Sequence, residues 1–138
     1  MDQDRDKDIR WQQRFENFEK SFHWLEKALQ IEKPNLVEKA GAIQFFEVTF
    51  ELSWKMLKDY LQFQGYDIKS PRDAIKTGFS YGLITNGESW LSALNDRHLT
   101  VHTYDEVFAE KVYGKIKSDY FPHLKQLHQR FKAETCSD

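Results

Sequence analysis

Cysteine is almost missing from this chain: Cys136, close to the C-terminus, is the single one. One thiol excludes a disulfide framework or a cysteine metal centre built within the chain. No charge sign dominates, with 20 basic against 22 acidic residues and a formal net charge of −2. Nothing in this balance advertises strong nonspecific nucleic-acid binding, so any contact with RNA has to be local. No apolar run approaches the length of a membrane span, and Met1 to Arg10 is charged throughout, with no apolar leader region. The expectation is a cytosolic protein without a membrane segment. There is no Gly-rich phosphate loop, no Gly-Ser pair with spaced acids and no metal-binding set of carboxylates, so the chain does not read as a nucleotidyltransferase itself. No internal repeat, low-complexity segment or convincing strand is found.

Aromatic residues are abundant, at 15% of the chain: eleven Phe, six Tyr and four Trp. They supply large core pieces, and the 138 residues predict one domain over 1–138. Residues 1–8 and 132–138 read as loose ends. Trp11, Phe15, Phe18, Phe22, Leu25 and Leu29 recur at steps of four and three, the seam of an amphipathic helix that Trp24 and Ala28 widen. Lys33-Pro34-Asn35 ends it and offers a cap to the next helix.

That second helix, about 35–64, carries two stripes. Ile43, Phe46, Phe50, Trp54, Leu57 and Leu61 make one, and Phe45, Val48, Leu52, Met56 and Phe63 the other. Two stripes predict burial against several neighbours or a second subunit. Its narrow polar strip holds Glu47, Glu51, Lys55 and Lys58, with Glu51 placed to pair with Lys55. Gly65 is its stop. Ser70-Pro71-Arg72-Asp73 opens a short helix that ends at Gly82, and Gly78 inside it costs about 1 kcal/mol relative to Ala unless the helix docks well. After the Asn86-Gly87 turn a second short helix carries Trp90, Leu91, Leu94 and Arg97. Thr103 to Glu106 fits a capping box, so the last helix is expected to start just after His102. Its stripe runs Ala109, Val112, Ile116, Tyr120, Leu124, Leu127 and Phe131, and Pro122 should bend it near Ser118. The architecture predicted is all-α, an antiparallel up-and-down four-helix bundle with short extra helices.

Between two of these helices lies Arg97-His98-Leu99-Thr100-Val101-His102-Thr103-Tyr104. Arginine is a fixed-charge planar fork for a phosphate, and histidine moves protons near neutral pH. With six Arg and five His, an Arg-x4-His match arises by chance about 0.2 times per chain, and adding Tyr two residues on lowers this to roughly 0.01. The triplet describes a small site for phosphodiester chemistry. The bland alternative has Arg97 complementing a helix end and His102 as a residue at a helix start. His98, Glu47 and Glu51 are auxiliary candidates. His23, His123 and His128 lie on helices with no second metal-type ligand at a suitable spacing, and no metal is expected.

The run Ile43-Gln44-Phe45-Phe46-Glu47-Val48-Thr49-Phe50-Glu51-Leu52-Ser53-Trp54-Lys55 resembles the signature of the nucleotidyltransferase substrate-binding proteins, the HEPN superfamily of the Haemophilus type. Ser70-Pro71-Arg72, Gly82-Leu83-Ile84 and Arg97 through Tyr104 fall where that family has its other motifs, so the resemblance covers about residues 12–131. It implies a homodimeric helical bundle that forms a hetero-oligomer with a minimal nucleotidyltransferase. Relatives with the same motif are metal-independent, cofactor-free ribonucleases, the toxin half of a toxin–antitoxin pair, and the antitoxin transfers AMP to the motif's tyrosine. By this resemblance Arg97 and His102 are catalytic, Tyr104 is the modified residue and RNA is the substrate. The residue after the arginine is commonly Asn in the family; here it is His98. The older family name implies instead a subunit that binds a substrate nucleotide and cuts nothing.

Overall fold

A computed structural model describes residues 2–135, apart from the side chains of residues 2, 3, 99 and 100. The described residues are helical, without strands: α1 (Asp2–Leu29), α2 (Leu36–Phe63), α3 (Pro71–Tyr81), α4 (Gly87–Asp96), α5 (Glu106–Lys115) and α6 (Phe121–Thr135). A 3₁₀ segment, Arg97–His102, follows α4, and a π segment, Ile116–Tyr120, joins α5 to α6.

The α1 seam forms as expected, with all six of its residues from Trp11 to Leu29 buried. Trp24 is the exception to the predicted stripe: it is 56% exposed and stacks on Phe45 of α2. Helix α1 takes in residues 2–8 of the charged lead-in, and Asp8 accepts a hydrogen bond from the Trp11 indole at 2.8 Å. At the other end α6 runs to Thr135, three residues past the expected loosening at 132, and Cys136 and the last two residues lie outside the described residues.

Asn35 caps α2 through a capping box with Glu38. Helices α1 and α2 run antiparallel, since Trp11 meets Tyr60, Arg14 meets Asp59, Ser21 meets Thr49 and Trp24 meets Phe45. Two of these contacts are polar and internal. Ser21 and Thr49 share a buried 2.6 Å hydrogen bond, and the buried Asp59 carboxylate accepts from Arg14 Nε at 3.0 Å. In the first stripe of α2 only Trp54 is part-exposed; in the second only Met56 is fully buried, and Val48 is 40% exposed.

Ser70 caps α3 with Pro71 in the first turn, and Gly82 ends it at φ 95°, a conformation that costs glycine little. Gly78 is buried where α3 docks on α2: a Cβ there would stand 3.3 Å from Leu57 Cδ2. Close approach of the two helices offsets the helix propensity that this glycine gives up. Asn86 is the N-cap of α4.

The stripe of the last long helix is buried from Ala109 to Phe131 as predicted. Proline 122 has no N–H to offer the Ser118 carbonyl. The helix answers with a wider turn in which Phe121 N–H bonds the Ile116 carbonyl, and Ser118 Oγ donates to the Gly114 carbonyl at 2.8 Å. The irregularity therefore falls where the proline predicts it, as a π turn.

Candidate active site at the α4–α5 junction

Helix α4 stops at Asp96, and the six residues that follow tighten into a 3₁₀ turn packed on α2, α4 and α5. Thr100 and Val101 are β-branched and give a weak α-helical preference here. Helix α5 then starts at Glu106. Its cap is Asp105, whose carboxylate accepts from Phe108 N–H at 3.3 Å. The expected capping box on Thr103 is thus replaced by a cap two residues later. Asp serves this role at least as well as Thr, and the later start lets Phe108 pack edge-on to the His102 ring, centroids 5.5 Å apart. Tyr104 accordingly precedes α5 instead of lying in its first turn.

Arg97 and His102 occupy the first and last positions of the 3₁₀ turn, about 10 Å apart along its axis at roughly 2 Å per residue. Arg97 is turned inward onto α2: its Nη1 donates to Glu51 Oε1 at 3.0 Å, and its side chain is 21% exposed. Its Nε donates to His98 Nε2 at 3.3 Å, so a neutral His98 carries its proton on Nδ1. Glu51 is itself steadied by the Trp54 indole, which donates to Oε2 at 2.9 Å. The expected pairing of Glu51 with Lys55 gives way to this one, and Lys55 Nζ sits 5.9 Å above the Trp54 ring. A guanidinium that reaches a carboxylate over a turn already packed on α2 makes a better-aligned pair than two flexible side chains on one helix face. Glu47 lies half-buried one turn earlier on α2.

His102 and Tyr104 face outward. Both are exposed, Tyr104 to 80%, with ring centroids 6.1 Å apart. The structure therefore gathers the sequence candidates into two adjoining groups: Arg97, His98 and Glu51 joined by hydrogen bonds, and His102, Tyr104 and Phe108 joined by ring contacts. Arginine supplies a fixed positive fork whose charge Glu51 partly balances; histidine supplies an exposed base.

A further group is not evident from sequence spacing. Tyr120, buried at the π turn, donates a short hydrogen bond to Asp96 and shares one of 2.9 Å with Ser92; Lys115 donates to Ser92 at 3.2 Å and lies 3.5 Å from Asp96. Burial, and then the bond to Asp96, push the Tyr120 phenol above its ordinary pKa, and the bond to Tyr120 raises Lys115. This network ties the residue before Arg97 to the π turn that leads into α6. A buried tyrosine hydroxyl in an apolar stripe needs a partner, and that was its signal. The histidines set aside in the sequence are also regrouped: Glu19, His23 and His128 place one ligand atom each within 4.8 Å of one another.

Residues 13–133 match the family model described as "Nucleotidyltransferase substrate binding protein like". The chain belongs to that family. A relative called "Probable ribonuclease HepT", from Haemophilus influenzae, is 33% identical over 118 residues, covering 78% of each chain. Two solved structures share the fold. A Thermus thermophilus protein superposes with a TM-score of 0.72 at 32% identity, over 86% of this chain and 98% of that one. A second, from Haemophilus influenzae, is described as revealing "the fold of a substrate binding domain of a nucleotidyltransferase"; it gives 0.75 at 30% identity with the same coverage. The family is tied to nucleotidyltransferases by its name, and among the described residues no helix is long and apolar enough to cross a membrane.

Proposed function

We propose that this protein is a metal-independent, cofactor-free endoribonuclease, the toxin of a toxin–antitoxin pair, held in check by AMP transfer from a minimal nucleotidyltransferase partner. In this reading the chain is one domain, an antiparallel up-and-down four-helix bundle that works as a homodimer in the cytoplasm. The observation that carries it is the junction itself: Arg97 is locked on Glu51 at one end of a six-residue 3₁₀ segment, and His102 at the other end and Tyr104 just beyond it stand exposed. The ribonuclease name of the Haemophilus relative supports it.

RNA brings its own nucleophile, so the protein has to supply a base, an acid and positive charge. His102 takes the proton of a 2′-hydroxyl, whose oxygen attacks the adjacent phosphorus. Arg97 stabilises the charge that builds on the non-bridging oxygens. The 5′-oxygen leaves with a proton from His102 of the partner subunit, and a 2′,3′-cyclic phosphate remains. His98 and Glu51 hold the guanidinium, and Glu47 lies one helical turn from Glu51 on the same helix.

A second reading rests on the same geometry: an Arg97 guanidinium held in place by Glu51 can hold a nucleotide phosphate for the partner without cutting RNA. Expression without the partner separates the two. Growth arrest and RNA decay with wild type, and neither with His102→Ala, are expected, and purified activity should survive EDTA. Wild type that binds nucleotide and leaves growth and RNA intact selects the binding-subunit reading, whereas arrest with RNA decay by the His102→Ala variant removes His102 from the chemistry.

A further inference from the structure

Helix α1 places Glu19 and His23 four residues apart, on one face. Helix α6 lays His128 against that face. His128 Nε2 lies 2.8 Å from Glu19 Oε2, and the three ligand atoms fall within 4.8 Å of one another. We propose that Glu19, His23 and His128 bind one late first-row divalent cation, zinc foremost, which clamps α6 to α1.

Two imidazoles and one carboxylate are the donor set such ions take, at about 2.0–2.2 Å per bond. Tetrahedral ligands at those lengths stand roughly 3.4 Å apart, so the His128–Glu19 pair opens slightly and His23 closes in. His23 is free to do so, with its side chain 54% exposed. His128 is held in place instead: its ring stacks on Phe22 at 4.6 Å and 7°, and on Phe15 at 5.7 Å. Glu26 Oε1 lies 3.8 Å from His23 Nδ1, close enough to orient that ring. A fourth position is left for water or substrate. Magnesium and calcium, which take oxygen ligands, do not suit this set.

The site has a built-in competitor. Lys132 Nζ is 3.3 Å from Glu19 Oε2. Glu19 Oε2 thus has two close partners, His128 and Lys132, whose contacts a metal would replace. None of the three ligands lies on an element that carries Arg97, His102 or Tyr104, so this site and the proposed nuclease site stand or fall separately.

The test is calorimetric titration of the metal-stripped full-length protein with zinc chloride, repeated with cobalt chloride to read nitrogen and oxygen ligands from the visible spectrum. One ion per chain is expected, with a rise in melting temperature that EDTA reverses. His23→Ala and Glu19→Gln should each weaken binding at least about tenfold, Lys132→Gln should tighten it, and His98→Ala and His102→Ala should leave it unchanged. Metal-free melting curves separate loss of a ligand from loss of folding; the His23 variant, changed at a half-exposed position, should fold as wild type. Absence of one-to-one uptake, wild-type affinity in both ligand variants, or loss of binding in His102→Ala overturns the site.

Discussion

Tyr104 is the residue at which the proposed function is most exposed to test. Its ring stands 80% exposed beside His102, outside any helix. A transferred AMP at that hydroxyl would set a bulky anion at the mouth of the Arg97–His102 junction, blocking an RNA phosphate by volume and by charge. Incubation with the neighbouring nucleotidyltransferase, ATP and magnesium should add AMP-sized mass at Tyr104; Tyr104→Phe should stay unmodified and stay active in the partner's presence. A mass shift that persists in the Phe variant sinks this account. Tyr60 makes a separate prediction. Burial, with Glu134 and Tyr81 close by, pushes its phenol up to about 12. The folded pKa is raised, so the contribution is intact below the unfolded value near 10 and is lost as pH climbs toward about 12, an effect of about 2–3 kcal/mol. Urea titrations across that window should show wild type losing stability more steeply than Tyr60→Phe. Equal slopes would mean that the phenol is hydrated in the folded protein.

At the scale of elements, the start of α5 is where sequence and structure part. Thr103 and Glu106 have the spacing of a capping box, yet Asp105 makes the cap. Asp105→Ala should therefore cost about 1 kcal/mol and Thr103→Ala close to nothing, measured by chemical denaturation. The reverse order would restore the earlier start. Both residues are sound caps in isolation, and nothing local chooses between them. With the start at Glu106, Phe108 packs against the His102 ring, a contact that no local spacing encodes. Pro122 was legible in a way that this cap was not. A missing N–H has one consequence wherever the helix packs, and the π turn at Ile116–Tyr120 is its form here.

For the whole molecule, the proposed homodimer is the claim with the widest consequences. Val101, Tyr104 and Val107 are 70–80% exposed around His102, and Val37 and Val48 add apolar surface on α2. Apolar side chains gathered about a candidate site are what a two-fold contact would cover. Light scattering at micromolar concentration should return twice the mass of the 16.5 kDa chain, and Val101→Glu with Val107→Glu should halve it. A wild-type monomer would remove the second His102 and with it the proton donor for the leaving oxygen.

The sequence by itself determined the helices and most of the buried stripes, because helical periodicity, Asn35, Ser70 and Pro122 act within a few residues of themselves. The Arg97–His102–Tyr104 spacing was equally legible, being short and local. Tertiary structure alone decided the partners. Glu51 could face Lys55 along its own helix or Arg97 on the segment after α4, 46 residues away. Trp24 fitted the apolar stripe but lies at the rim, stacked on Phe45 and more than half exposed. His128 read as an isolated histidine until α6 carried it to Glu19, 109 residues distant. Periodicity fixes which face of a helix is apolar; which polar groups meet across two faces depends on how the helices pack, and no local spacing encodes that.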